Sequence, residues 1–515
     1  MAAERRGRVR RRGGRDGTGA DTPKREVNYR NLINPFPVMK AFSDDRIEAI
    51  HDAALGILET NGIKVLLPEA RELLRQAGAT VDEDSFMVQI GRDIVASALA
   101  TAPRSITLHG HTPARDVLLE LGRLVFQPGG AAPHATDLVR GRRPGLGRDF
   151  RELVQLTQHF DALQMFSALV EPQDIDINVR HYFTTEAQLT LSEKAPFVFG
   201  RGTPQAHDCF EMIRDFRGLD DDGFAAAPWC YTIVNTNSPR IIDVPMAQAL
   251  VDFARAGQLV IVTPFTLMGA MAPITVAGAM TLSHAEAMAA ITLNQLARPG
   301  APVLYGTFTS NVDMKSGSPA FGTPEHFTAS LVAGQLARHI GLPWRNASGA
   351  AGPVADAQAA NETQFGLWGT LLSGATVVIH AAGWLEGGLS VSYEKLITDM
   401  EVLQMVAELC TPTSAADPEL ALDALAQVPP GGHFFASAHT MERYKTQFYE
   451  PLVADWSNFG RWQERGALTA TERATGIWQA ILDEGARPSL DRSRVEALRR
   501  YIERRTAEGG APPES

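Results

Sequence analysis

The sequence predicts an α/β protein of the (β/α)8 TIM-barrel class, with an N-terminal α+β cap and a C-terminal helical extension. Three observations carry this expectation. From about residue 160 onward, short apolar runs alternate with helical segments, the signature of a parallel sheet covered on both faces. Seven such units are visible and an eighth fits near His433–Ser437. The 515 residues also leave room for a barrel of roughly 250 residues with flanking parts. A doubly wound open sheet shares this periodicity, but no G-x-G-x-x-G fingerprint follows the first strand.

Residues 1–26 hold nine Lys or Arg against four acids and no apolar stretch, which reads as a disordered basic tail rather than a secretory signal. Residues 27–150 form the expected cap. Asp45–Asn61 has apolar residues at helical spacing and a stop at Gly62. Further helices are expected over Pro68–Gln76 and Arg92–Thr101, then strands over Ser105–His109 and Arg123–Gln127.

Residues 151–440 are assigned to the barrel. Its expected strands are Met165–Val170, Phe197–Gly200, Cys230–Asn235, Val260–Pro264, Val303–Gly306, Trp344–Ala347 and Val377–Ala381. Helices are expected between most of them, over Arg180–Ser192, Ala206–Phe216, Pro245–Arg255, His284–Leu296, Pro324–Ile340 and Ala360–Leu372. Residues 441–515 make up the helical extension, and the aromatic-rich Tyr449–Trp462 suggests a docking segment.

Composition narrows the class of function. A net charge of −11 argues against a nucleic-acid surface over the body of the protein. Cys209, Cys230 and Cys410 are too far apart for a metal or redox pattern, consistent with a reducing cytoplasm. No uninterrupted apolar run reaches transmembrane length, so no membrane association is expected. His433 and His439 lie six residues apart without a cysteine, so no metal is expected.

Seven segments occur in order at barrel-like spacing: PGGAAPHATDLVRGRRP (128–144), NTNSPR (235–240), VTPFTLMGAMAPITVAGAM (262–280), DMKSG (313–317), DAQAANE (356–362), IHAAGWLEGGL (379–389) and GGHFFASAHT (431–440). On these the chain resembles the trimethylamine/glycine betaine:corrinoid methyltransferase superfamily, from about residue 44 to about 485. The resemblance implies a TIM barrel that passes a methyl group from an amine to cobalt. The corrinoid (cobalamin) is carried by a separate partner protein, and the enzyme binds no permanent cofactor. In trimethylamine-demethylating members, pyrrolysine precedes the Asp-Ala-Gln; the corresponding place here is Val354. The chain therefore resembles the branch without pyrrolysine. A quaternary ammonium carries its positive charge already and leaves as a neutral amine, so glycine betaine or a related betaine is the expected substrate. A homo-oligomer is also expected.

The candidate residues follow from that chemistry. A quaternary ammonium suits aromatic faces, and Tyr231, Phe265, Phe308, Trp344 and Trp384 lie near expected strand ends, as do the possible carboxylate donors Arg345, Lys315 and His380. Arg345 offers a planar fork for a carboxylate, or alternatively an ion pair to Asp356 or Glu362. Asp356, Gln358 and Glu362 open a helix, where the resemblance gives them a catalytic role and local chemistry gives Asp356 a capping role. Asp313 and Glu386 complete the candidates. Two other readings stay open: a barrel lyase or aldolase using Lys315 or a carboxylate as base, and a non-catalytic quaternary-amine sensor. Ala350–Val354 departs from the family pattern, which favours a bulkier or less polar substrate or a lost activity.

Overall fold

A computed structural model describes residues 27–485, 488 and 490–514. The basic tail expected over 1–26 lies outside the described residues. By their contacts these residues fall into two compact units, 27–28 with 412–450, and 29–411 with 451–514. The boundary expected at residue 440 therefore lies inside the smaller unit.

The larger unit is built on six parallel strands: β1 (Arg123–Phe126), β2 (Tyr231–Val234), β3 (Leu259–Val262), β4 (Val303–Gly306), β5 (Trp344–Ala347) and β6 (Val377–Ile379). They hydrogen-bond in the order β1-β6-β5-β4-β3-β2, with Leu32–Ile33 antiparallel on β1. β3, β4, β5 and β6 are buried at every position, as a sheet covered on both faces requires. Single parallel bridges continue the sheet at both edges, Phe126 to Leu163 beside β1 and Phe197 to Tyr231 beside β2. Among the described residues no bridge joins the 163 and 197 segments, so the architecture stands as α/β with a six-stranded parallel sheet.

Two expectations are corrected here. His433–Ser437 forms no strand. Its place is filled from the other end of the chain, because Arg123–Phe126, expected in the cap, pairs with Val377–Val378 in the main sheet. Met165–Val170 and Phe197–Gly200 run where strands are expected but make isolated bridges rather than ladders.

The helices between strands form where the apolar periodicity puts them: Arg180–Leu191, Thr203–Arg217, Val244–Arg255, Val276–Ala297, Pro324–Ile340 and Ala357–Ser373. Several open on a side-chain cap that fixes the preceding loop. Asp243, Thr275, Thr323 and Asp356 each accept a hydrogen bond from the first turn. Val276–Ala297 begins eight residues before the expected start and, although polar residues interrupt it, is by length and composition apolar enough to cross a membrane. Most of it is buried against the protein's own sheet and helices, which accounts for its composition.

That helix also carries a histidine cluster. His51 Nδ1 lies 2.8 Å from His284 Nε2, the His51 and His339 rings are 4.9 Å apart, and His284 Nδ1 is 3.1 Å from the Tyr305 hydroxyl. Burial pushes His51 down to about 4, and His284 well below the ordinary imidazole range. An unfolded chain protonates both near 6.5, so the stability they contribute is whole above that pH and is lost as pH falls towards 4. The urea midpoint is expected to drop between pH 7 and pH 5. A midpoint that stays level over that interval would rule out neutral, buried imidazoles.

Candidate active site

Strands carry side chains past their C-terminal ends into one cavity of ≈ 400 Å³. Gly130 and Ala131 follow β1, Asn235–Asn237 follow β2, Thr263 and Phe265 follow β3, Phe308 follows β4, and His380 follows β6, while Arg345 projects from within β5. Ala168, Phe197 and Phe199 come from the two bridging segments. Active-site groups of parallel α/β folds collect at this end of the sheet.

One wall is aromatic. Beyond β3 and β4 the chain forms a second parallel pair, Phe265–Met268 with Phe308–Val312, in which Phe265 faces Phe308 in register. Their ring centroids are 5.1 Å apart. Phe308 also meets Phe321 at 5.0 Å and Trp384 at 5.7 Å. The Trp384 indole stacks on His380 at 4.2 Å with 17° between the planes. Three glycines crowd that indole: a Cβ on Gly129, Gly349 or Gly388 would come within 3.1, 2.3 or 2.7 Å of it.

The other feature of the cavity is unmet polarity. Arg345 is 2% exposed, and its Nε and Nη1 have no hydrogen-bond partner among the described residues. Burial pushes its guanidinium down to about 9, so it remains cationic at neutral pH. His380 Nδ1, Trp384 Nε1 and Thr263 Oγ1 are buried and also lack partners. Burial, with Arg345 nearby, holds the His380 imidazole neutral. Buried polar atoms are normally satisfied, and a donor-rich set around one cavity fits an anionic group of a ligand.

Of the residues singled out in the sequence, Phe265, Phe308, Arg345, His380 and Trp384 come together on this cavity. The ion pair considered for Arg345 does not form, because Asp356 and Glu362 are otherwise engaged. Asp356 Oδ1 caps its helix, accepting from the backbone N of Gln358 (3.0 Å) and Ala359 (3.2 Å). Glu362 Oε2 accepts from the backbone N of Ala351 (2.8 Å) and Gly352 (2.9 Å), and its Oε1 from Gln358 Nε2 (2.8 Å). These three order the loop beside the cavity and do not line it, and Val354 is exposed.

Tyr231 is buried in the sheet, its hydroxyl donating to Phe166 O (2.5 Å) and accepting from Gln127 Nε2 (3.2 Å). Trp344 donates to Gly374 O (2.9 Å) and belongs to the core. Glu386 is paired with Arg142 (2.9 Å). Asp313 and Lys315 lie in an exposed turn that Asp313 closes onto Ser316. Sequence reasoning missed Phe197, Phe199, Asn235–Asn237, Asp243, Met246 and Thr263. Their signal was positional, since several stand within a few residues of a strand's C-terminal end.

Fold and cavity define an α/β protein with a small-molecule pocket that sets an aromatic wall beside buried, unpaired donors. A family model described as trimethylamine methyltransferase (MTTB) matches residues 5–510, and the chain belongs to that family. It is a methyltransferase. The chain is 32% identical over 477 residues to a glycine betaine methyltransferase of Desulfitobacterium hafniense strain Y51, covering 92% of this chain and 99% of the relative. It is 30% identical to a trimethylamine methyltransferase of Desulfitobacterium hafniense strain DSM 10664 / DCB-2, over 92% of this chain and 95% of the relative. The crystal structure of the Methanosarcina barkeri monomethylamine methyltransferase shares the fold, with a TM-score of 0.52 and 11% identity over 92% of this chain and 90% of that one.

Proposed function

We propose that this enzyme transfers a methyl group from a carboxylated quaternary amine of the glycine betaine type to a corrinoid protein. The observation that carries the reading is the unpaired guanidinium of Arg345 in a cavity with an aromatic wall. A zwitterion satisfies both, with its carboxylate on the arginine fork and its methylammonium against Phe265, Phe308 and Trp384.

The corrinoid, carried by the partner, supplies the reduced cobalt that takes the methyl group. This chain's residues fit an approach over the strand ends, where the loops following its strands expose Ile274, Met314 and Leu389. Its own contribution is orientation and exclusion of water. The C–N electron pair stays on nitrogen, and the amine leaves neutral without needing a proton donor. That matches a cavity whose only lining acid among the described residues, Asp243, already caps a helix, accepting from Met246 N at 2.9 Å. Aromatic faces hold the cation without the strong ground-state grip of a carboxylate cage.

Eight segments converging on one cavity support the complete barrel as the scaffold. Three unpaired cysteines suit the cytoplasm. The lyase reading is weakened at Lys315, which is exposed and does not line the cavity.

The test is a visible-spectrum assay with reduced free cobalamin, the purified enzyme and a panel of quaternary amines. Methylation dependent on enzyme and on a carboxylated amine is expected, with trimethylamine inactive. Tight betaine binding without methyl transfer, even with corrinoid proteins supplied, would make the protein a sensor instead.

A further inference from the structure

Glu286 is a buried acid that the reading above leaves unused. It lies on the helix Val276–Ala297 and is 0% exposed. Its hydrogen bonds come from one loop: Thr236 Oγ1 at 2.5 Å, Ser238 Oγ at 2.6 Å and the backbone N of Arg240 at 2.8 Å. The Arg240 guanidinium donates to Gly62 O at 3.0 Å and acts on this carboxylate only through space. No cation among the described residues forms an ion pair with this carboxylate.

Ordering the loop does not require the charge: a neutral glutamine would accept from the Arg240 backbone N through its oxygen and donate to the two hydroxyls through its amide. A buried carboxylate costs more than a buried amide unless a positive charge compensates it. The same loop lines the cavity through Asn235, Thr236 and Asn237. A hydroxyl has one proton, and Thr236 gives its proton to Glu286, so its oxygen is left as an acceptor. In a water-poor wall, charge one hydroxyl away is felt more strongly than across solvent. Asp243 is half-exposed and already bonded to a helix terminus, so it is the weaker attractor.

We propose that Glu286 is a positioning residue for the ammonium group of the substrate. Through Thr236 it sets negative charge behind one part of the cavity, while Arg345 sets positive charge in another, so a zwitterion enters in one orientation. The inference rests on the betaine reading above. Because the nitrogen loses its charge during transfer, Glu286 favours the bound substrate over the transition state and acts on KM.

The experiment compares glycine betaine with its carbon isostere 3,3-dimethylbutanoate, which keeps the carboxylate and replaces the trimethylammonium by a neutral tert-butyl group. Calorimetric affinities for both are measured on the full chain, wild type and Glu286→Gln, alongside KM for glycine betaine. Glu286→Gln should weaken glycine betaine about tenfold, leave the isostere unchanged, and raise KM by more than it lowers kcat/KM, with kcat no lower than in wild type. Equal weakening of both ligands would reduce Glu286 to a loop scaffold and overturn the inference, as would no change in either. Should Glu286→Gln fail to fold, Thr236→Val keeps the side-chain shape without the hydroxyl and is expected to give the same selective loss. A wild-type protein that binds neither ligand would overturn the betaine reading and this inference with it.

Discussion

Arg345→Ala is expected to lower the preference for glycine betaine over choline about 100-fold, read as the ratio of the two calorimetric affinities. The guanidinium is buried, lines the cavity, and has two nitrogens without partners. Removing one member of a desolvated, hydrogen-bonded charge pair costs roughly 2–5 kcal/mol, and 100-fold corresponds to about 2.7 kcal/mol. Choline has no carboxylate to lose, so its affinity should change little. Without ligand the sign reverses. An unpaired buried charge is a burden on the empty protein, so the variant should melt no lower than wild type. Equal losses for both ligands would remove Arg345 from carboxylate recognition.

Gly349→Ala should cost about 100-fold in kcat/KM with glycine betaine. Gly349 has φ +110°, and a Cβ there would stand 2.3 Å from Cε3 of Trp384. Neither the backbone nor the indole can accept that contact, and Gly129 and Gly388 close the other approaches. The indole must shift away from His380 and Phe308, and a displacement of about 1 Å in a positioning wall can cost on the order of 10²-fold. Backbone strain alone contributes too, so Gly122→Ala is the control. Gly122 has φ +92° with nothing within 4 Å of its Cβ position, and its substitution should affect stability only. Unaltered kcat/KM in Gly349→Ala would mean that the Trp384 ring does not set substrate position.

The parallel strands from Tyr231 to Ile379 were legible because burial on both faces demands unbroken apolar runs, and β3 and β4 supply them. Segments 163–170 and 197–200 read the same way but make only isolated bridges, a difference of hydrogen-bond register that hydropathy does not encode. Arg345 was readable as a candidate because it lies near the end of an expected strand and carries a planar fork, and it lines the cavity. The local polarity of the DAQAANE segment made Asp356 and Glu362 catalytic candidates, and the fold shows them satisfying backbone N–H groups of a helix start and a loop. Glu286 was illegible for the opposite reason. It sits within a long apolar helix, and only the tertiary fold shows that it faces the NTNSPR loop.

That loop has a second attachment, on the side away from the cavity. Ile241–Ile242, directly after it, pairs in parallel with Lys64–Val65 of the N-terminal region, and Lys64 N bonds to Arg240 O at 2.9 Å. Two residues from Glu286, His284 reaches His51 on the helix Asp44–Thr60. The N-terminal region is therefore no detachable module. A chimera that exchanged it between relatives would import a different backing for the substrate loop, so its ancestry is tied to that of the site. Along a lineage, a change in amine preference can originate among residues 44–65 without any alteration in the cavity wall.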